Sequence, residues 1–163
     1  MQSLKKAQQD YYFALRKYRL AYDKVLHKAT HHPVSLVKEA NLAVLKEALL
    51  FWEGRRLISH AWCIMSNHLH WLLTVFEKDE AEEAVHLPEI LHSVKRFSAR
   101  KININEGRSG ELWEHESFET TIRNDRHFVR VESYIVNNPV SAGLVTTARE
   151  WPGTFVRAGS SIF

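Results

Sequence analysis

The sequence is poor in the residues that cross-link or punctuate a chain. Cys63 is its only cysteine, which excludes an intramolecular disulfide and a cysteine-based zinc site and fits a reducing compartment. Six glycines and four prolines in 163 residues are too few for a low-complexity or linker-dominated chain. Apolar runs of about 18 residues are lacking, so no membrane-spanning helix is expected. The N-terminus reads as charged and polar rather than as a secretory signal. Neither sign of charge dominates: 22 Lys and Arg against 19 Asp and Glu leave +3, compatible with a polyanionic partner without requiring one. With 45% hydrophobic residues the chain has enough apolar material for a real core. A cytoplasmic protein of one domain is the expectation, with no membrane partner.

What the chain does have is ten histidines and a clear alternation of helical and extended patterns. Residues Ser3 to Lys28 read as a long helix, because Leu4, Gln8, Tyr11, Leu15, Tyr18, Tyr22 and Val25 follow four-three spacing. That seam fits either packing on the domain or a short dimerising coiled coil. Residues 1–34 are therefore an N-terminal helical extension of a single 1–163 domain. Ser35 is placed to cap a second helix, Leu36 to about Trp52, which Gly54 stops. Leu57 to Ile64 alternates like a strand, Ser66-Asn67 makes a tight turn, and His68 to Phe76 returns, a hairpin.

Pro88 opens a third helix with Ile90, Leu91, Val94 and Phe97 on its apolar face, and Asn103 to Gly110 reads as a loop. Short strands are expected at Trp113 and over Phe118 to Arg123. A last helix begins at an Asp125 cap and ends before Asn138-Pro139, since a residue preceding proline avoids the helical region. The tail from Val140 reads as irregular. The fold class is α+β, an antiparallel sheet with helices packed on one face.

Two constellations can carry chemistry. His68 and His70 are two apart on a strand, so both imidazoles project to one side while Leu69, Trp71 and Leu73 project to the other. Such a pair chelates a divalent ion or serves a structural role with equal economy. Tyr134 and Asn138 lie four apart on the last helix and share a face one turn apart. A phenol beside an amide can present a nucleophile next to a metal ligand, or be simple surface and cap residues. Lys95, Arg96, Arg100 and Lys101 on the third helix, with Arg123, Arg126 and Arg130 around the last, form two basic groups suited to phosphates, or merely solvated helix faces.

Five stretches occur together in order: HAWCIMSNHLHWLL (His60 to Leu73), ILHSVKRFSARKIN (Ile90 to Asn103), LWEHESFETTIRND (Leu112 to Asp125), YIVNNPVSAGLV (Tyr134 to Val145) and EWP (Glu150 to Pro152). In these blocks the chain resembles the REP-associated tyrosine transposases, a branch of the HUH single-strand transposases, from Leu49 to about Phe155. The His-hydrophobe-His signature is shared broadly among HUH enzymes. The Tyr-Ile-x-x-Asn-Pro block followed by Gly-Leu-Val narrows the likeness to this branch.

The resemblance implies an HUH, ferredoxin-like fold and a divalent ion, Mg2+ or Mn2+, held by His68, His70 and Asn138. It implies Tyr134 as the nucleophile of a single-stranded DNA endonuclease and strand transferase, acting beside the hairpins of repetitive extragenic palindromes through a 5′-phosphotyrosine. The partner implied is single-stranded or hairpin DNA, bound by Lys95, Arg96, Arg100, Lys101, Arg123, Arg126 and Arg130, with the protein a monomer or homodimer. The family begins with a strand, which here would have to be Tyr11 to Leu15 in place of the helix, or is missing; it often has Pro where this chain has Ser66. A descendant without that strand could keep hairpin binding and lose turnover, the rival reading. A metallohydrolase using Glu114 or Glu116 beside the histidines is a more distant one.

Overall fold

A computed structural model of the chain describes residues 33–115 and 117–159. The helix expected over Ser3–Lys28, and the alternative strand at Tyr11–Leu15, lie outside them. The chain divides into two units, residues 1–33 and 34–163; the architecture that follows belongs to the second.

Its centre is the hairpin. Strand β1 (Leu57–Ile64) and strand β2 (Leu69–Val75) pair antiparallel. The hairpin is bounded where the backbone demands it: Gly54 adopts φ of +73°, a region that side chains disfavour. At the other end Met65 N–H donates to the His68 carbonyl at 2.8 Å and closes the Ser66-Asn67 turn. A short strand β3 (Thr154–Val156) adds to the far side of β1, giving the order β2-β1-β3.

The register sets two faces. Trp62 opposes Trp71 and Ile64 opposes Leu69; with Phe155 these pack on helix α1 (Glu39–Leu50) and helix α2 (Leu87–Asn105) through Leu42, Leu45, Leu49, Val94 and Ile102. Trp62 and Phe155 stack with centroids 4.0 Å apart. Ala61 opposes Leu72 and Cys63 opposes His70; with Met65 they meet Ile135 and Val136 of helix α3 (Asp125–Val136). The α+β class is as expected, with helices over both faces of the sheet rather than one. The reason lies in β1, whose residues Ala61 to Ile64 are all buried: a strand apolar on both sides needs cover on both.

Several boundaries differ from the sequence expectation. Helix α1 starts at Glu39 with Lys38 in the capping position, not at a Ser35 cap. Leu36 is instead tied to the hairpin turn, its N–H donating to the Ser66 carbonyl at 2.8 Å. Helix α2 runs through Asn103 to Asn105, where a loop was expected. Its end is clamped to the start of α1: Glu106 accepts from Lys38 Nζ and Asn41 Nδ2, each at 2.6 Å, and Asn105 Nδ2 donates to Asn41 Oδ1 at 3.2 Å. The Lys38 ammonium, then the Asn41 amide, hold the Glu106 carboxyl below its usual range. Asn124, not Asp125, caps α3, accepting from His127 N–H at 2.9 Å.

The strands expected at Trp113 and Phe118–Arg123 do not form. Residues 117–123 carry no ladder, and Trp113 docks its Nε1–H on Ser98 Oγ at 2.9 Å against the α2 side of the core. The third strand comes from the tail that read as irregular. Gly153 leads into it by lying directly on β1: Ile64 N–H donates to the Gly153 carbonyl at 3.0 Å. After α3, a one-turn helix α4 (Asn138–Ser141) and a 3-10 turn (Ala148–Glu150) carry the chain back to β3. Among the described residues no helix is long and apolar enough to cross a membrane.

Candidate active site

The hairpin places His68 just before β2 and His70 within it, on the sheet face that α3 covers. Their rings meet edge to face, centroids 5.0 Å apart and planes at 85°, as two-residue spacing on an extended chain requires. His68 donates from Nδ1 to Asn67 Oδ1 at 2.7 Å. The amide oxygen can only accept, so the proton sits on Nδ1 and the Nε2 lone pair faces away from the turn.

Helix α3 and its continuation supply the second pair. Ile135 and Val136 anchor α3 on the sheet, which turns Tyr134 outward along the edge of that contact, 39% exposed. Its ring meets His70 with centroids 5.5 Å apart and planes at 76°. Asn138 opens α4 and is buried, with Nδ2 3.2 Å from His70 Nε2. Tyr134 and Asn138 thus share a side as expected, although α3 ends at Val136 and Asn137 caps it. The structure brings His68, His70, Tyr134 and Asn138 into one cluster.

The basic residues do not gather with equal economy. Arg126 and Arg130 sit on the solvent side of α3, and Arg123 precedes it, all exposed. Lys95, Arg96, Arg100 and Lys101 ride on α2, which covers the opposite face of the sheet. Lys95 is engaged within the protein, its Nζ donating to the Glu114 and His115 carbonyls at 2.9 and 3.4 Å. Lys101 Nζ lies 5.9 Å from the Phe97 ring centroid.

Residues without an assigned role in the sequence also line the α3 side. The register of β1 against β2 shifts between Ser59 and Ala61, which makes His60 a bulged residue. It contacts Thr74 Oγ1 through Nε2 at 2.8 Å and the Phe128 ring of α3 edge to face. Burial pushes the His60 imidazole below its usual pKa and Arg157 pushes the same way, while Glu132 and Glu53 pull against them. The break in strand alternation at Ser59-His60 was the available signal. Cys63 lies on this face too, and burial pushes its thiol up to about 11, partly offset by a hydrogen bond with Thr154.

As a donor set, two imidazoles and one amide suit a divalent ion with open coordination positions. The contact with Asn67 Oδ1 favours the His68 tautomer whose lone pair is on Nε2, and a half-turn of the Asn138 amide would present its oxygen where Nδ2 now meets His70. Among the described residues no three His, Cys, Asp or Glu side chains gather as a metal cluster.

No family model matches the chain. Over 97 residues it is 29% identical to a Haemophilus influenzae protein named for the REP-associated tyrosine transposases, covering 56% of this chain and 54% of that protein. Its fold matches the solved structure of a REP-associated tyrosine transposase bound to a REP hairpin, with a TM-score of 0.56 at 21% identity, over 73% of this chain and 66% of the other. The chain therefore spans about half the length of the curated relative. It resembles the REP-associated tyrosine transposases in sequence, and the α+β arrangement of sheet and helices matches theirs.

Proposed function

We propose that this chain, like the transposases it resembles, is a metal-dependent single-stranded DNA endonuclease and strand transferase with Tyr134 as its nucleophile, acting beside DNA hairpins. The observation that carries the reading is the ring of Tyr134 standing 5.5 Å from that of His70, with His68 and Asn138 against the same imidazole. His68 Nε2, His70 Nε2 and the Asn138 amide oxygen would hold Mg2+ or Mn2+. Such an ion, when bound, acts as a Lewis acid on a phosphate oxygen.

The chain's own residues account for the rest. Tyr134 is 39% exposed, so a strand can approach it. Phenol has a pKa of about 10, so at neutral pH the oxygen attacks as its proton departs. A P–O bond forms to Tyr134 Oη, the bond from phosphorus to the 3′ oxygen breaks, and that oxygen leaves protonated as a 3′-OH. One phosphodiester replaces another, so the reverse attack rejoins strands without ATP. The edge-on imidazole of His70 limits where the phenol ring can swing, and so orients Oη. Arg123, Arg126 and Arg130 are on hand for the flanking phosphates.

The test is incubation of the protein with 3′-labelled oligonucleotides carrying a hairpin and single-stranded flanks, with Mn2+ or Mg2+, followed by denaturing electrophoresis. Label migrating with the protein is expected, and chelation by EDTA should remove it. Cleavage that leaves no label on the protein would overturn the tyrosine mechanism. A gel shift with neither cleavage nor adduct would move the chain to the non-catalytic, hairpin-binding reading.

A further inference from the structure

A cavity of about 280 Å³ opens on the α3 side of the sheet, between the β1 bulge, α3 and the residues after β3. We propose that it is a pocket for one unpaired DNA base, one whose open edge carries N–H donors. The inference rests on the single-strand reading above and names a contact which that reading does not contain.

The walls are aromatic: His60 and Phe128 meet with centroids 5.0 Å apart and planes at 83°. They offer ring surface on which any base can stack. Val129 forms an apolar rim, 46% exposed. Glu132 also lines the cavity and is only 4% exposed, which puts an acidic side chain in its wall. Carboxylate oxygens accept hydrogen bonds.

That choice of group discriminates among the parts of a strand. Phosphates are repelled by it, and deoxyribose within a strand has no N–H to give. Amino and imino groups of the bases do, and in single strands their Watson–Crick edges are open. At the mouth, Arg157 supplies positive charge for a neighbouring phosphate. Its guanidinium is positioned by donation to the Ser59 carbonyl at 2.8 Å and by a pairing with Glu53. Burial, then Arg157, pushes the His60 imidazole below its usual pKa, against the pull of Glu132 and Glu53.

At about 280 Å³ the cavity lies just below the range of about 300 to 1,000 Å³ of drug-sized ligand pockets, which is the scale of a single planar base. Phe128 and Glu132 precede Tyr134 by six and two positions on one helix, displacements of about 9 and 3 Å along its axis.

The experiment measures binding, not turnover. Hairpin oligonucleotides with fluorescent single-stranded flanks, abasic at one position at a time, are titrated with the wild-type chain without divalent metal. One flank position is expected to lose about tenfold in affinity when abasic. Val129→Trp, which fills the mouth from an exposed position, and Glu132→Gln should each erase that difference between intact and abasic strands. Hairpin binding in which no position responds to either variant would overturn the pocket and leave the single-strand reading standing. Failure of any hairpin oligonucleotide to bind would overturn both.

Discussion

Tyr134→Phe is expected to lose the covalent protein–DNA adduct entirely, a fall of at least about a thousandfold in adduct formation. The substitution removes one oxygen. The ring remains, with its edge-on contact to His70 at 5.5 Å between centroids, so the imidazole pair keeps its neighbour. Tyr134 is 39% exposed, and a surface change of this kind alters stability by no more than about 0.5 kcal/mol. Hairpin affinity by fluorescence anisotropy should therefore be retained while label on the protein disappears from denaturing gels. A Phe variant that still carries labelled DNA would assign the nucleophile to another residue, and with it the role of α3.

Gly153→Ala is expected to be the most damaging single-methyl change in the described fold. A Cβ at this position would lie 2.2 Å from the Ile64 carbonyl oxygen, 3.1 Å from its carbon and 2.9 Å from Trp151 Nε1. The first two are backbone atoms of the central strand and cannot swing away. Relief comes only by lifting the tail, which breaks the Ile64 N–H to Gly153 hydrogen bond and the Trp151 Nε1–H to Ile64 carbonyl bond at 2.8 Å. Overpacking of this sort costs about 1–3 kcal/mol, and backbone against backbone puts this case at the upper end. Urea denaturation should show the midpoint falling with an unchanged slope. The loss should reach the candidate site as well, because β3 pairs Thr154 with Cys63, and Cys63 pairs with His70. A Gly153→Ala protein as stable as the wild type would mean that the tail is not seated on β1.

Much of this architecture is local, and what is local was legible. Strand β1 falls on Leu57–Ile64 as expected because Gly54 and the Ser66-Asn67 turn bracket it. Helix α2 follows from Pro88 and its apolar spacing, and His68 and His70 share a face because extended backbone leaves no alternative. Nearness of Tyr134 to His70 was not written in either segment. It entered through the family likeness of the motif blocks, since a long stretch of chain, with all of α2 in it, separates the two.

The failures are non-local. Phe118 to Arg123 alternates like a strand, yet no neighbour among the described residues supplies a ladder; alternation permits a strand and pairing makes one. Thr154–Val156 is three residues long, too short to show a period, and becomes a strand only because Gly153 and Phe155 fit β1. The α1–α2 clamp rests on Asn41, a buried polar residue in a helix, whose value depends on Glu106 arriving from far along the sequence. The Phe128–Glu132 wall was hidden in the same way, behind a bulge that alternation registers only as a missed beat.

Cys63 turns the burial of the α3 face into a reporter that is already in place. The protein has one thiol, fully enclosed, with ionisation deferred to about 11. Alkylating reagents attack the thiolate, so at neutral pH iodoacetamide reaches it only in molecules whose helix has lifted from the sheet. The rate of alkylation then measures how often the cover over His70 comes away, and a bound hairpin strand that bridges α3 and β2 should slow it.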